Sequence, residues 1–120
     1  MGNLRWETIA YEKENGEIPV ETFLNSLPSK HAEKVNRDIQ LLGRFGTRWG
    51  DPHVEHLGGD IWELRTKHGS NIFRILFFRW HHTILILTND FQKKSQKTPK
   101  REIQVARRYR DDWLHRRKGE

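Results

Sequence analysis

The chain contains no cysteine among its 120 residues, which excludes disulfide bonds and thiolate chemistry. It has no run of eighteen apolar residues and no charged segment leading into an apolar one at its start. We therefore expect no membrane span and no secretory signal, and a cytoplasmic location is the default. The glycine-rich phosphate-binding motifs and the sharp serine turn of esterases are also missing, which argues against nucleotide hydrolysis and serine esterase chemistry.

Basic residues are concentrated at the end of the chain. Residues 91–120 hold eleven of the 22 lysines and arginines beside four acidic residues, whereas residues 1–90 carry a net charge of −1. The resulting net charge of +7 in the last quarter predicts a polyanionic partner, either nucleic acid or an acidic protein. A solvated basic helix that only keeps the chain soluble is the alternative that composition leaves open.

The hydrophobic pattern predicts a strand and two helices in the first part of the chain. Residues 4–11 alternate between apolar and polar side chains, as in a half-buried strand. Apolar residues within 20–27 recur with helical spacing, and Pro28 closes that helix. A second apolar stripe within 32–42 predicts another helix, with Ser29 as its N-cap.

The second half predicts a sheet followed by a helix. Residues 46–60 are rich in Gly, Pro and His and indicate a long loop. Strands are predicted over 61–67, 71–79 and 83–89, and their short links indicate antiparallel hairpins. A last helix is predicted to begin at Pro99 with Thr98 as N-cap and to turn four residues inward: Ile103, Ala106, Tyr109 and Trp113.

This order, β-α-α-β-β-β-α, predicts an α+β fold. We expect a small, mainly antiparallel sheet, two N-terminal helices on one face and a C-terminal helix. A chain of this length holds one modest hydrophobic core, so residues 1–120 are expected to form a single domain.

The first predicted hairpin brings two arginines together. An even-membered turn centred on residues 69–70 places Arg65 opposite Arg74, with Cβ atoms about 5 Å apart. Like charges so placed repel unless an anion lies between them, so the pair predicts a phosphate site. Glu63 and Lys67 flank Arg65 on the same face. An ion pair between Arg74 and Glu63 is the main alternative, because a charge within an apolar strand needs a partner.

The second predicted hairpin extends this cationic edge. A turn centred on residues 81–82 would place Arg74 opposite Asn89, shortly before Lys93 and Lys94. Phe91 is either a platform for a nucleobase or a core aromatic. The candidate RNA-binding residues at this edge are Lys67, Phe91, Lys97, Lys100 and Arg101. Four apolar residues further along the same face are predicted to be core: Leu76, Phe78, Leu85 and Leu87.

No metal ion or other cofactor is expected. His53 and His56 have the spacing of metal ligands, but the sequence supplies no cysteine and no clear third ligand.

Three segments resemble the RelE superfamily of toxins in its phage-derived, HigB-like branch. They are HLGGDIWELR at 56–65, FRI at 73–75 and FQKKSQKTP at 91–99, followed by Glu102, Ile103 and Ala106. The resemblance covers about half the chain, and the combination is more specific than any one segment. Where the family commonly has glycine before the phenylalanine, this sequence has Asp90.

The resemblance implies a toxin of a type II toxin–antitoxin system, with a RelE-like fold. Such a toxin is an endoribonuclease that cleaves mRNA on the ribosome without a metal ion. A helix-turn-helix, HigA-like antitoxin binds it and keeps it inactive. Carried across by position, Arg65 and Arg74 would contact the phosphate, while Lys93 and Lys94 would replace the family's second catalytic cation. Arginine forks suit phosphate, and a lysine crowded by cations can exchange a proton. Glu63 is a further candidate base if it is not tied to Arg74.

Two other functions remain open at this point. The same fold serves ParE-like toxins, which bind gyrase without catalysis, and a plain RNA- or protein-binding module would also fit the charge. The clustered arginines and lysines favour the nuclease, because the gyrase-binding branch has no need of them.

Overall fold

A computed structural model describes residues 5–92 and 97–118. Its elements are β1 (Glu7–Ala10), α1 (Pro19–Ser26), α2 (Ser29–Phe45), a 3-10 helix (Gly46–Trp49), β2 (Val54–Gly58), β3 (Ile61–His68), β4 (Asn71–Trp80), β5 (Ile84–Gln92) and α3 (Lys100–Arg116). The strands form one sheet in the order β1-β5-β4-β3-β2. β1 runs parallel to β5 and the other neighbours are antiparallel, which confirms the predicted α+β class.

The two N-terminal helices cover one face of the sheet, as predicted. Their apolar stripes pack with the strands in a core that includes Val35, Leu42, Leu64 and Phe77. Pro28 occupies the N-cap position of α2, and Ser29 is its first helical residue. The predicted serine cap was therefore wrong, because the extended proline already separates the two helices.

The C-terminal helix covers the opposite face. Ala106 and Trp113 of α3 are buried against a second core cluster that includes Leu76, Phe78 and Ile86. Together with the partly buried Tyr109, they confirm three of the four residues predicted to face inward, whereas Ile103 is half-buried outside this cluster. Leu85 and Leu87 were expected on this face as well, but they are buried on the α1–α2 side.

The β3–β4 hairpin has the predicted register. His68 pairs with Asn71 and Arg65 with Arg74. The two-residue turn begins with Gly69 at φ +64°, a conformation that glycine adopts without steric cost. This turn fixes which residues of the two strands face each other.

The β4–β5 hairpin differs from the prediction. Its loop has three residues, since Trp80 pairs with Ile84, and Thr88 is an extra residue that forms a bulge opposite the step from Leu76 to Phe77. The register is consequently shifted by two residues near the strand end. Arg74 faces Phe91 there, not the predicted Asn89.

The predicted loop over residues 46–60 contains regular structure. It includes the 3-10 helix and β2, an edge strand that pairs with β3. Gly46 ends α2 at φ +61°, and a Cβ there would lie 2.0 Å from the ring of Trp6. Only glycine fits this close approach, so the chain turns sharply at this point.

β1 is shorter than predicted, since it spans Glu7–Ala10. In residues 5–92 and 97–118, every helix is too short or too polar to cross a membrane.

Candidate active site

Two rows of polar side chains cross the sheet on its α3 face. The first row contains Arg65 of β3 and Arg74 of β4, which are direct partners. The chain before β2 extends it, because the amide of Arg65 donates a hydrogen bond of 2.8 Å to the carbonyl of His53. In the second row Glu55 of β2 is the partner of Glu63. Two cations and two carboxylates therefore lie within one small area of the sheet.

An open cleft with a volume of about 920 Å³ lies against these rows. Its walls come from α2, the segment before β2, strands β2 to β4 and the segment leading into α3. Among the described lining residues, the basic ones are Lys34, Arg65, Lys67, Arg74 and Lys97, and the acidic ones are Asp38, Asp51 and Glu55. The cleft is thus predominantly cationic.

Glu63 lies between the two arginines. Its side chain is fully buried, and Oε2 accepts a 2.7 Å hydrogen bond from Nε of Arg65. Its other oxygen, Oε1, lies 3.5 Å from Nη1 of Arg74. The repulsion expected between the arginines is therefore offset by an internal carboxylate. The ion pair that the sequence left as the alternative to a phosphate site is present.

Thr98 connects this ion pair to the C-terminal helix. Its Oγ1 accepts a 3.1 Å hydrogen bond from Nη1 of Arg74 and donates to Oε1 of Glu63. Thr98 is buried and does not cap α3, whose N-cap position is held by Pro99. The predicted threonine cap was wrong, because the hydroxyl is used to tie the start of α3 to β3 and β4.

The two arginines differ in their access to the cleft. The side chain of Arg74 is 1% exposed, whereas that of Arg65 is 27% exposed. Nη2 of Arg65 also donates to Oε1 of Glu55, a rim carboxylate that is 41% exposed. Arg65 is therefore the member of the pair that a ligand in the cleft can reach directly.

The remaining predicted residues lie around the same edge. Lys67 and Lys97 are exposed and line the cleft. Lys100 and Arg101 are exposed in the first turn of α3, beyond the cleft wall. Phe91 is half-buried and packs against the α3-side core. Lys93 and Lys94 lie outside the described residues.

Sequence reasoning missed Glu55, Thr98 and Lys34 as members of this site. Glu55 lay in the segment interpreted as a loop, and residues 54–57 run apolar, polar, polar, apolar, so no alternation marked them as a strand. Thr98 was assigned to helix capping. The position of Lys34 could not be predicted from the sequence, because only the packing of α2 against the sheet brings this residue to the cleft.

The histidines near the cleft form aromatic and backbone contacts. His53 is half-buried and stacks on Trp49, with ring centroids 4.2 Å apart. His56 is exposed, and its Nε2 lies 2.6 Å from the carbonyl of Gly59. Within the described ranges, no group of three or more His, Asp or Glu side chains could hold a metal ion.

Asp90 lines a second, shallower groove between α1 and α3, with a volume of about 380 Å³. Burial raises the pKa of Asp90 to about 8; a hydrogen bond from its own backbone lowers it, and the charge of Glu102 adds to the rise. Oδ2 of Asp90 is buried without a hydrogen-bond partner. This carboxyl group is therefore held largely neutral at pH 7.

The fold and the cleft define a small α+β protein with paired arginines in an open basic cleft over its sheet. The sequence matches the family model described as "Phage derived protein Gp49-like (DUF891)" over residues 22–111. The chain belongs to this family.

Curated relatives of the chain come from Mycobacterium tuberculosis. The chain is 47% identical over 53 residues to "Probable endoribonuclease HigB1" of strain CDC 1551 / Oshkosh and, equally, of strain ATCC 25618 / H37Rv. The alignment covers 44% of this chain and 42% of each relative, so the chain spans less than half of their length. These matches confirm the resemblance to HigB-like proteins.

Proposed function

We propose that the chain is the toxin of a type II toxin–antitoxin system and cleaves mRNA as a metal-independent endoribonuclease. The observation that carries the proposal is the cross-strand pair Arg65 and Arg74 at the wall of one open, predominantly basic cleft. Membership of the Gp49-like family and the similarity to proteins named endoribonuclease support it.

The reaction requires three contributions from the protein. The 2′-OH of the RNA attacks the adjacent phosphorus, so one proton must leave, the crowded phosphate must be neutralised, and the departing 5′-oxygen must gain a proton. Arg65 is the group that reaches the cleft; its Nε and Nη2 donate to Glu63 and Glu55, so we assign the phosphate contact to its other terminal nitrogen, Nη1. Arg74 adds positive potential from beneath, where Glu63 and Thr98 hold it.

Lysines supply the remaining cations. Lys97 lines the cleft, and Lys93 and Lys94 precede it by only a few residues in the sequence. We assign proton donation to the 5′-oxygen to this lysine group. The exposed Lys67, Lys100 and Arg101 bind the RNA backbone on either side, with Phe91 as a further candidate contact.

The proposal extends to partners and place of action. A cytoplasmic toxin that cleaves mRNA on the ribosome must be neutralised in its own cell, so we expect a helix-turn-helix, HigA-like antitoxin. The high positive charge of residues 91–120 suits both ribosomal RNA and an acidic antitoxin segment.

Expression of the chain alone, followed by primer extension on a chosen messenger, tests this function. Discrete cuts in phase with codons support the ribosome-dependent ribonuclease. Cleavage of purified RNA in excess EDTA supports metal-independent chemistry without the ribosome. Induction of DNA damage signalling without RNA cuts would indicate a gyrase-binding toxin, and an unaffected culture would indicate a binding module.

A further inference from the structure

The proposed cleavage needs a group that accepts the proton of the 2′-OH, and Glu63 is poorly placed for this. Its carboxylate is fully buried, and hydrogen bonds from Arg65 and Thr98 occupy both of its oxygens. It also offsets the charge of Arg74. A carboxylate held in this way stabilises the arginines and has no open path to a substrate in the cleft.

Glu55 is differently placed. Glu55 is on the edge strand β2, where it is the cross-strand partner of Glu63 on β3. It lines the cleft, and 41% of its side chain is exposed. Its Oε1 accepts a hydrogen bond from Nη2 of Arg65, the guanidinium group proposed to bind the phosphate. A carboxylate bonded to one arm of the arginine fork lies within a few ångströms of any phosphate bonded to the other arm.

The other acidic residues of the cleft lack this relationship. Asp38 is 2% exposed and pairs with Lys34 at 3.1 Å. Asp51 is exposed on the cleft wall. Of the acidic residues that line the cleft within 5–92 and 97–118, Glu55 alone forms an ion pair with Arg65.

We propose that Glu55 is the general base of the reaction, an inference that rests on the proposed ribonuclease function. A carboxylate oxygen of Glu55 takes the proton from the 2′-OH as the 2′-oxygen bonds to phosphorus. The bond from phosphorus to the 5′-oxygen breaks, and a lysine ammonium group protonates that oxygen. The products are a 2′,3′-cyclic phosphate and a free 5′-OH, and no metal ion or redox partner enters the balance.

The test uses Glu55→Gln, whose amide oxygen can still accept the hydrogen bond from Arg65 but cannot accept a proton. Removal of a general base is expected to lower kcat by about 10²–10⁴-fold. Binding to an RNA with a 2′-deoxy nucleotide at the cut site, which cannot be cleaved, should be unchanged or tighter, because one negative charge is lost. Glu55→Asp should lose less activity. Glu14→Gln, in an exposed turn, is the matched control.

A modified substrate separates base from acid. An RNA with sulfur in place of the 5′-bridging oxygen has a leaving group that needs no proton, so it restores variants lacking a proton donor. We expect it not to restore Glu55→Gln. Full restoration of cleavage by the sulfur-substituted RNA would overturn the assignment. So would a Glu55→Gln variant whose kcat equals that of Glu14→Gln and which only binds RNA more tightly, because Glu55 would then merely compete with the phosphate for Arg65.

Different results would contradict the ribonuclease function and the assignment of Glu55 as its general base. If the wild-type chain cleaves RNA and Glu55→Gln cleaves equally fast, the ribonuclease function stands and the base assignment falls. If the wild-type chain cleaves neither free nor ribosome-bound RNA, both fall. Should Glu55→Gln not fold, as judged by circular dichroism, Glu55→Asp decides, because its shorter side chain withdraws the carboxylate from the 2′-OH: a kcat equal to that of the wild-type chain on natural RNA would overturn the assignment.

Discussion

Glu63 and Arg74 form an ion pair in which the carboxylate is fully buried and the guanidinium is 1% exposed. Isolated charges at such depth are costly, so each group depends on the other and on the hydroxyl of Thr98. The same carboxylate also fixes Arg65, which faces the cleft. The ion pair therefore stabilises the sheet, and its carboxylate also positions the arginine that faces the cleft.

Replacement of Glu63 is expected to destabilise the protein strongly. Glu63→Gln leaves the buried charge of Arg74 without its carboxylate, and breaking a buried pair typically lowers the free energy of unfolding by about 3–5 kcal/mol. Urea denaturation measures this change. Glu33→Gln, exposed on α2, serves as control and should shift stability by less than about 0.5 kcal/mol. Equal stability of the two variants would contradict a structural role for Glu63.

Replacement of Arg65 should separate activity from stability. Arg65→Gln removes the guanidinium group that faces the cleft, and we expect cleavage to fall by about 10²–10³-fold, as when one oxyanion donor is lost. Its pair with Glu55 is partly exposed, but its pair with Glu63 is made to a fully buried carboxylate that keeps Arg74 and Thr98, so the free energy of unfolding should fall by about 1–3 kcal/mol, less than in Glu63→Gln. Cleavage assays and urea denaturation are compared with Arg37→Ala, an exposed arginine on α2. Undiminished cleavage by Arg65→Gln would remove this residue from the site.

The β3–β4 register was predictable, whereas the β4–β5 register was not. A two-residue turn with Gly69 at its first position leaves one pairing, and this pairing set Arg65 against Arg74. No sequence signal marked the three-residue loop, in which His81 and His82 adopt positive φ, or the bulge at Thr88. Bulges depend on local packing and so escape a pattern of alternation.

The candidate site was only partly predictable for a related reason. Side chains on neighbouring strands could be brought together from register alone, which gave the Arg65, Arg74 and Glu63 cluster. The contact of Glu55 with Arg65 required knowing that β2 is a strand, and a five-residue edge strand amid Gly, Pro and His gives a weak signal. The bonds of Thr98 depend on where α3 begins, which tertiary packing decides.

Asp90 should make stability depend on pH. Because burial raises its pKa to about 8 in the folded chain, the unfolded chain loses this proton first as pH rises. Stability from Asp90 is therefore full below about pH 4 and is lost progressively up to about pH 8. Asp90→Asn cannot ionise and should be more stable than wild type at pH 8, by on the order of a few kcal/mol, but not at pH 4.

Urea denaturation of both proteins across this pH range checks the Asp90 prediction. Asp111→Asn, exposed on α3, is the control and should follow the wild-type curve. A stability difference between Asp90→Asn and wild type that stays constant from pH 4 to pH 8 would show that Asp90 titrates normally.

Tyr11 ties β1 to the C-terminal helix. Its hydroxyl donates a 2.6 Å hydrogen bond to Asp112, and its ring stacks on Tyr109. Burial and then the Asp112 carboxylate raise the pKa of Tyr11 to about 12. The chain has two tyrosines, so ultraviolet titration should resolve one that ionises near pH 12. In Asp112→Asn this pKa should fall part of the way to its ordinary value. An unchanged titration would mean that burial alone sets it.

The salt dependence of RNA binding tests the basic surface at the start of α3. Lys100 and Arg101 are exposed there, next to the cleft residue Lys97. Each phosphate contact to a single strand contributes about −0.7 to the slope of log K against log salt. The double variant Lys100→Ala/Arg101→Ala should therefore reduce the magnitude of this slope by about 1.4.

The measurement is the dissociation constant of uncleavable RNA over a series of salt concentrations. The matched control is Arg5→Ala/Arg79→Ala, which removes two exposed basic residues that do not line the cleft, one just before β1 and one beside the β4–β5 loop. Net charge falls by the same amount in both double variants, so a general effect of charge would reduce the magnitude of both slopes equally. A slope of smaller magnitude in the α3 variant alone would show that phosphates contact this end of the helix. Equal slopes in the two double variants would remove Lys100 and Arg101 from the RNA-binding surface.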